Sequence, residues 1–326
     1  MIRLLLCFAV ASGLGIARAP AQVAQNYPSR PVTLVVAYPA GGPTDAVARI
    51  VAEAMRASLR QPVIVENIPG ASASIGTSHV ARAAADGYTI VFGNWASHVV
   101  NGAVYALQYD VLKDFEPIAQ VTTQPLLIVA RKSMPAGDLK ELIAWLKANP
   151  DKATAGGAGA GSANHIAAVF FERETGTHIQ FVPYRGGADA MQDLLAGRID
   201  LIFDLAASAV PQVLGGTIKA YAVMAPSRLP ALPDVPTVDE AGLPGLHVSL
   251  WNGLWAPRAT PQDVIAKLDA AAVAALADPL VSKRLADLGQ EIPPRTEQTP
   301  QALAALQKAE IAKWWPIIKA ANIKAE

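Results

Sequence analysis

Apolar residues along this chain keep two rhythms. Short runs rich in Val, Ile and Leu alternate with stretches in which apolar side chains return every three or four positions. Residues 32–37 (VTLVVA), 62–66 (PVIVE) and 88–93 (YTIVFG) read as strands, the last entered through an Asp86-Gly87 turn. Between them, 44–59 places Val47, Ile50, Val51, Ala54 and Met55 at helical spacing, and 78–85 is expected to be helical. Strand, helix, strand, helix, strand is the order of an α/β layer with a largely parallel sheet.

A second set follows. The chain is extended and apolar over 117–131, then helical over 139–148, where Asn149-Pro150 ends the helix. A weak strand at 153–155, a helix over 164–175, a strand at 179–182, a turn and helix within 183–197 and a strand at 199–203 come next. After a helix-like SAVPQVLGG, the segment 219–224 is again extended. The proline-rich stretch 226–245 reads as an ordered surface loop, SLWNGLWAP as a strand, and helices are expected near 261–276, 279–288 and 299–321. Those last helices need a surface to cover, and the first layer offers one. The expected fold is α/β: two Rossmann-like domains joined by two extended crossings, near 120–126 and 220–226. Domain I is discontinuous (27–124 and 226–326), domain II is 125–225, and a ligand cleft lies between them.

In parallel α/β sheets, ligands collect where strands end and helices begin. Unpaired N–H groups and aligned peptide dipoles make a helix start attractive to an anion. PAGGPTD at 39–45 fits this: Gly41 and Gly42 free the backbone, Pro43 suits an early helical position, and Thr44 or Asp45 can cap the helix. Alone, this turn is equally a tight bend made for helix–sheet packing. A second turn, Gly156-Gly157-Ala158-Gly159-Ala160-Gly161-Ser162, shifts the weight toward a pair of donors facing one cleft. Nearby, Asn94, Trp95 and Ser97 follow the third strand, and Tyr184 and Arg185 sit at a strand-to-helix turn. Arg185 can bind a carboxylate as a bidentate donor or stand solvated, and Trp95 can be a platform or a packing anchor.

Composition narrows the chemistry. The 27 basic residues balance 27 acidic ones, so no basic surplus points to nucleic acid. The glycine turns lack the G-x-G-x-x-G and G-x-x-x-x-G-K-[ST] spacings, so no cofactor is expected. No G-x-S-x-G or H-E-x-x-H occurs, and the five histidines, His79, His98, His165, His178 and His247, lack metal-ligand spacing, so no metal is expected either. His165 and Asp204 are the residues that an alternative, a secreted hydrolase-like enzyme acting on carboxylates, would use. The N-terminus carries Arg3, a short apolar run and Ala19-Pro20-Ala21, the pattern of a secretory signal cleaved after Ala21 (1–21). Its loss takes the single cysteine, Cys7, and leaves a mature formal charge of −2.

These segments together resemble the Bug, or TctC-like, family of periplasmic solute receptors that serve tripartite tricarboxylate transporters. The similarity runs from YPSRPVTLVV at 27–36 to IAKWWPIIKAANIK at the C-terminus. It is carried by PAGGPTD, PVIVENIPGASASIG, DGYTIVFG, YDVLKDFEPIAQV, GSANH, VPYRGGADA, LPDVPTVDEAGLPG and GLWAPRATP in order. The resemblance implies a type II periplasmic-binding-protein architecture that closes on a small carboxylate, in the periplasm, as a monomer that delivers to membrane permease subunits; a receptor that feeds a sensor kinase is a further alternative. It places Ala40, Gly41, Gly42, Thr44 and Asp45 in the first half of the site, and Gly161, Ser162 and His165 in the second, with Asp204 bordering the cleft. Where the family usually has ENRPGAGGNIG, this chain has ENIPGASASIG. Ile68 replaces arginine, Ser72, Ala73 and Ser74 replace Gly-Gly-Asn, and Trp95 is larger than the residue usual there. Ser72, Ser74, Asn94 and Trp95 are therefore expected to shape a pocket for an aromatic or otherwise bulky carboxylate.

Overall fold

The computed structural model describes residues 27–323 except Asp151, Ala160 and Arg185, so the expected signal segment and the Arg185 site lie outside the described residues. The N-terminal layer runs β1 (Val32–Val36), α1 (Pro43–Leu59), β2 (Val63–Asn67), α2 (Ser74–Ala81) and β3 (Thr89–Asn94). β1 is parallel to both β2 and β3. The second helix is shifted four residues toward the N-terminus at both ends relative to the sequence pattern, and it stops at Ala81 where residues 82–87 turn back toward β3 through Gly87 at φ +81°. A π-helical turn at Ala96–Val100 running into α3 (Asn101–Val104) is also unannounced by the sequence: Ser97, His98, Val99, Val100 and Asn101 are all buried, so no polar face marks the helix.

β4 (Phe115–Arg131) joins the two halves. The remaining elements are α4 (Leu139–Ala148), β5 (Thr154–Gly157), α5 (Ala163–Thr175), β6 (Gln180–Pro183), α6 (Gly187–Leu195), β7 (Leu201–Leu205), α7 (Ala206–Leu214), β8 (Ile218–Val223), β9 (Ser249–Pro257), α8 (Gln262–Leu276), α9 (Pro279–Asp287) and α10 (Pro300–Ala320). Strand order is β2-β1-β3-β9-β4-β7-β5-β6, with β8 also on β4. From Phe115 to Pro125, β4 pairs with β9; from Leu126 onward it pairs with β7 and β8. One strand thus serves two sheet regions. Its ladder with β9 shifts register between Pro117 and Ala119 and again between Gln120 and Thr122, irregularities that bend and twist a strand.

Each region has its own apolar packing. α1, α8 and α9 cover β1, β3 and the first half of β4 through Val47, Val51, Met55, Leu268 and Leu285. α6 and α7 cover the other half of β4 and β7 through Met191, Leu194, Ala206 and Ala209. α10 belongs to a third cluster that reaches both regions: Trp314 meets Trp95 edge-on from one side and Phe170 of α5 from the other. Among the described residues, no helix is long and apolar enough to cross a membrane.

Candidate functional site

The first turn is held from behind by a polar network at the ends of three parallel strands. The Tyr38 hydroxyl donates to Asn94 Oδ1 at 2.8 Å, and Asn67 Nδ2 donates to Tyr38 O at 3.1 Å and Asp45 Oδ1 at 2.8 Å. Asp45 Oδ2 accepts from Gly41 N–H at 2.8 Å and Arg49 Nε at 2.9 Å. Burial works against the Asp45 charge, yet the donors from Arg49, Gly41 and Asn67 win and hold its carboxyl down to about 2. Asp45 therefore fixes the turn from inside and is not a free cap. Asn94 does the same: its Oδ1 also accepts from Ser97 N–H, and the residue is buried.

What the turn presents outward is bare backbone. Gly42 is the N-cap of α1 and supplies no side chain, Pro43 has no N–H, and no side chain caps the first turn. Gly41 stands at φ +81° with open space where a side chain would project. Ala40 and Gly41 are exposed, Gly42 and Thr44 half-buried.

The second glycine turn is closed on itself. Ser162 is the N-cap of α5, its Oγ accepting from His165 N–H at 3.2 Å, while Gly161 N–H donates to His165 Nδ1 at 3.1 Å. The His165 ring lies on Phe181 with centroids 4.3 Å apart, and burial holds its pKa below the usual histidine range. Gly161, Ser162 and His165 are thus joined to each other, and all three are half-buried. Tyr184 likewise donates to Asp193 Oδ2 at 2.8 Å.

Facing the first turn instead is the start of α7. Gly41, Gly42 and Pro43 share one cavity of about 700 Å³ with Ala206, Ala207 and Val210, whose helix also starts without a side-chain cap, at Leu205. Ala206 and Ala207 were not singled out by sequence; the only signal was small residues directly after a strand ending in Asp204. Asp204 itself is buried at the end of β7, beside the start of α6: its Oδ1 would lie 3.8 Å from a Cβ on Gly187. Its Oδ2 has no hydrogen-bond partner, and burial raises its pKa.

The remaining predicted residues stand apart from this cavity. Trp95 is 1% exposed, donates from Nε1 to Glu310 at 2.9 Å and packs on Trp314, so it is a core anchor and the platform role is corrected: the turn into the helical segment after β3 points the indole at α10. Ser72 Oγ pairs with the Tyr105 hydroxyl at 2.6 Å, and Ser74 Oγ donates to Ala71 O. They belong to a loop in which Ala71, Ser72 and Ala73 all have positive φ (45°, 50° and 74°), an unusual run for residues bearing a Cβ. Among the described residues, no group of three or more His, Cys, Asp or Glu is placed to hold a metal ion.

Comparison with known proteins settles what kind of molecule carries these turns. Residues 47–323 match the model of the tripartite tricarboxylate transporter family receptor, TctC. This chain is a TctC-family receptor. The structure of the periplasmic binding protein BugD is 41% identical, covering 92% of this chain and 100% of BugD, with a TM-score of 0.73. MatC from Rhodopseudomonas palustris, solved with bound malate, is 39% identical over 90% of this chain and 100% of MatC, with a TM-score of 0.74. A further R. palustris protein, solved with adipate, is 34% identical over 92% of this chain and 100% of its own, with a TM-score of 0.76. The TctC family and these neighbours are solute-binding proteins of two-domain α/β architecture, and the present fold is of that kind.

Proposed function

We propose that this TctC-family receptor captures a small carboxylate in the periplasm and presents it, unchanged, to the membrane subunits of a tripartite transporter. The observation that carries the reading is that two helix starts from different sheet regions, α1 at Gly42 and α7 at Leu205, open without side-chain caps onto one cavity. Oriented N–H groups on both sides suit a carboxylate, and their number in one cavity rises when the two halves close. The malate and adipate found in two relatives are carboxylates and support the same ligand class. Neutral backbone donors predict an affinity that changes little with ionic strength, unlike a site built from several arginines.

A thermal-shift screen over mono-, di- and tricarboxylates, followed by mass spectrometry of the recovered ligand, tests the proposal. Saturation at about a hundred times Kd stabilises a receptor by about 2.7 kcal/mol, which reads as a rise of several degrees. A shift with the ligand recovered intact is expected. Turnover of the carboxylate, or no shift with any carboxylate, overturns it.

A further inference from the structure

The cavity shared by α1 and α7 has a lining of unequal chemistry. Gly41 and Gly42 contribute the start of α1. The body of the cavity is walled by Val47, Val210, Pro211, Leu229, Pro230 and Leu288, so a ligand portion seated there meets hydrocarbon on several sides. Asp287 and Glu291 are the acidic residues in its lining, and no Lys, Arg or His lines the cavity among the described residues. Asp287 is already paired with Lys283 at 2.9 Å on the outer surface, and the half-buried Glu291 is fixed through its backbone, its N–H and C=O exchanging 2.8 Å hydrogen bonds with Thr123. Two residues of the lining pack tightly: Gly289 lies so close to Ala207 that a Cβ on it would fall 2.5 Å from the Ala207 Cβ.

We infer that the preferred ligand is a monocarboxylate with a bulky apolar body, its head at the Gly41–Gly42 turn and its body between α7 and the Leu229-Pro230 loop. The inference rests on the carboxylate reading above and adds the number of charges and the shape of the remainder. One anionic head finds the first-turn N–H groups of α1 beyond Pro43 and of α7, which no side chain caps. A second finds no Lys, Arg or His in the lining and shares the cavity with the Glu291 carboxylate, and like charges brought together out of bulk water cost affinity. The lining is mostly apolar, and removing apolar surface from water supplies the binding energy that a second carboxylate would otherwise contribute. The bulk expected from Trp95 is thus accommodated elsewhere, beside α7, where the sequence showed only alanines, a valine and a proline.

Isothermal titration with matched pairs tests it: hexanoate against adipate, and benzoate against terephthalate. Each monoacid is expected to bind about tenfold or more tightly than its diacid. Val210→Trp, which fills the cavity from a half-buried helix position, is expected to weaken hexanoate and benzoate about tenfold. Glu291→Gln, which keeps shape and backbone pairing, is expected to raise adipate affinity relative to hexanoate. Adipate or terephthalate binding as tightly as its monoacid overturns the inference while leaving the carboxylate reading intact. Unchanged monoacid affinity in Val210→Trp, or an unchanged ratio of adipate to hexanoate affinity in Glu291→Gln, also overturns it. Binding of no carboxylate at all instead overturns the reading on which it rests.

Discussion

Two glycine-rich turns, residues 39–45 and 156–165, look alike in sequence and differ in what they leave exposed. Both follow a strand and lead into a helix. In the first, the N-cap is Gly42, the Gly41 and Gly42 N–H groups are used by Asp45 and Pro39 O, the acid that could have capped is turned inward to Gly41, Arg49 and Asn67, and no side chain caps the N–H groups that follow Pro43. In the second, Ser162 caps its helix and His165 accepts the Gly161 N–H, so those donors are used within the turn. Glycine supplies access, but the residue at the cap position decides whether any donor remains for a ligand. A glycine cap leaves every first-turn N–H of α1 without a side-chain acceptor; the serine cap of α5 takes up one of them.

The sharpest way to break this contrast is Asp45→Ala. It leaves the Asn67 amide and the Gly41 N–H without their acceptor behind the turn, and it is expected to cost about 2–3 kcal/mol in urea denaturation and to abolish tight carboxylate binding. An Asp45→Ala protein that binds as the parent does would show that the turn needs no internal brace.

Acid should expose the same asymmetry. His98 lies flat on Trp255 at 3.9 Å, fully buried, and burial lowers its pKa to about 3. The unfolded chain takes up this proton below about pH 6.5 while the folded chain does not. Stability is therefore whole above that pH and falls by up to about 1.4 kcal/mol per unit toward pH 3. The lowered Asp45 pKa adds a second loss: its contribution is present above the ordinary carboxylate value and disappears as pH falls toward about 2. Denaturation midpoints from pH 8 to 3 for the parent and His98→Phe check this; equal slopes between pH 6 and 4 would remove His98 as the cause.

A smaller effect separates the turns directly. Ser162→Ala removes the α5 cap and is expected to cost about 1 kcal/mol of stability while leaving carboxylate affinity within about twofold. A large loss of affinity would make the second turn a ligand contact after all. Smaller still, Ala71→Gly relieves one of three consecutive left-handed residues and should stabilise by under about 1 kcal/mol, since glycine's gain in the loop is partly offset by its freer unfolded chain. A destabilised Ala71→Gly would show that the loop is not strained.

Much of this was legible because it is periodic. The strand–helix alternation from Val32 to Asn94 and the long run through Arg131 follow from apolar spacing alone, and the bare first turn from Gly41-Gly42-Pro43. What escaped has physical reasons. The helical segment after β3 is buried all round, so it carries no amphipathic stripe. Trp95 was legible as large but not as inward-facing, because its partners, Glu310 and Trp314, lie more than two hundred positions away. The start of α7 escaped because a helix end formed by Leu205, Ala206 and Ala207 has no side chain to advertise it. Inward-turned Asp45 shows the converse: an ionisable residue in a promising place can be scaffolding.

β4 gives the molecule a mechanical property. A strand that stays hydrogen-bonded on both sides of Pro125, and whose ladder with β9 already carries two irregularities, can change its curvature without releasing its neighbours. Such a joint is a leaf spring rather than a pin. Its curvature is set locally by the register shifts at Pro117–Ala119 and Gln120–Thr122. In the proposed capture of a carboxylate, such a strand would carry a change of angle between the two sheet regions by bending rather than by breaking its ladder.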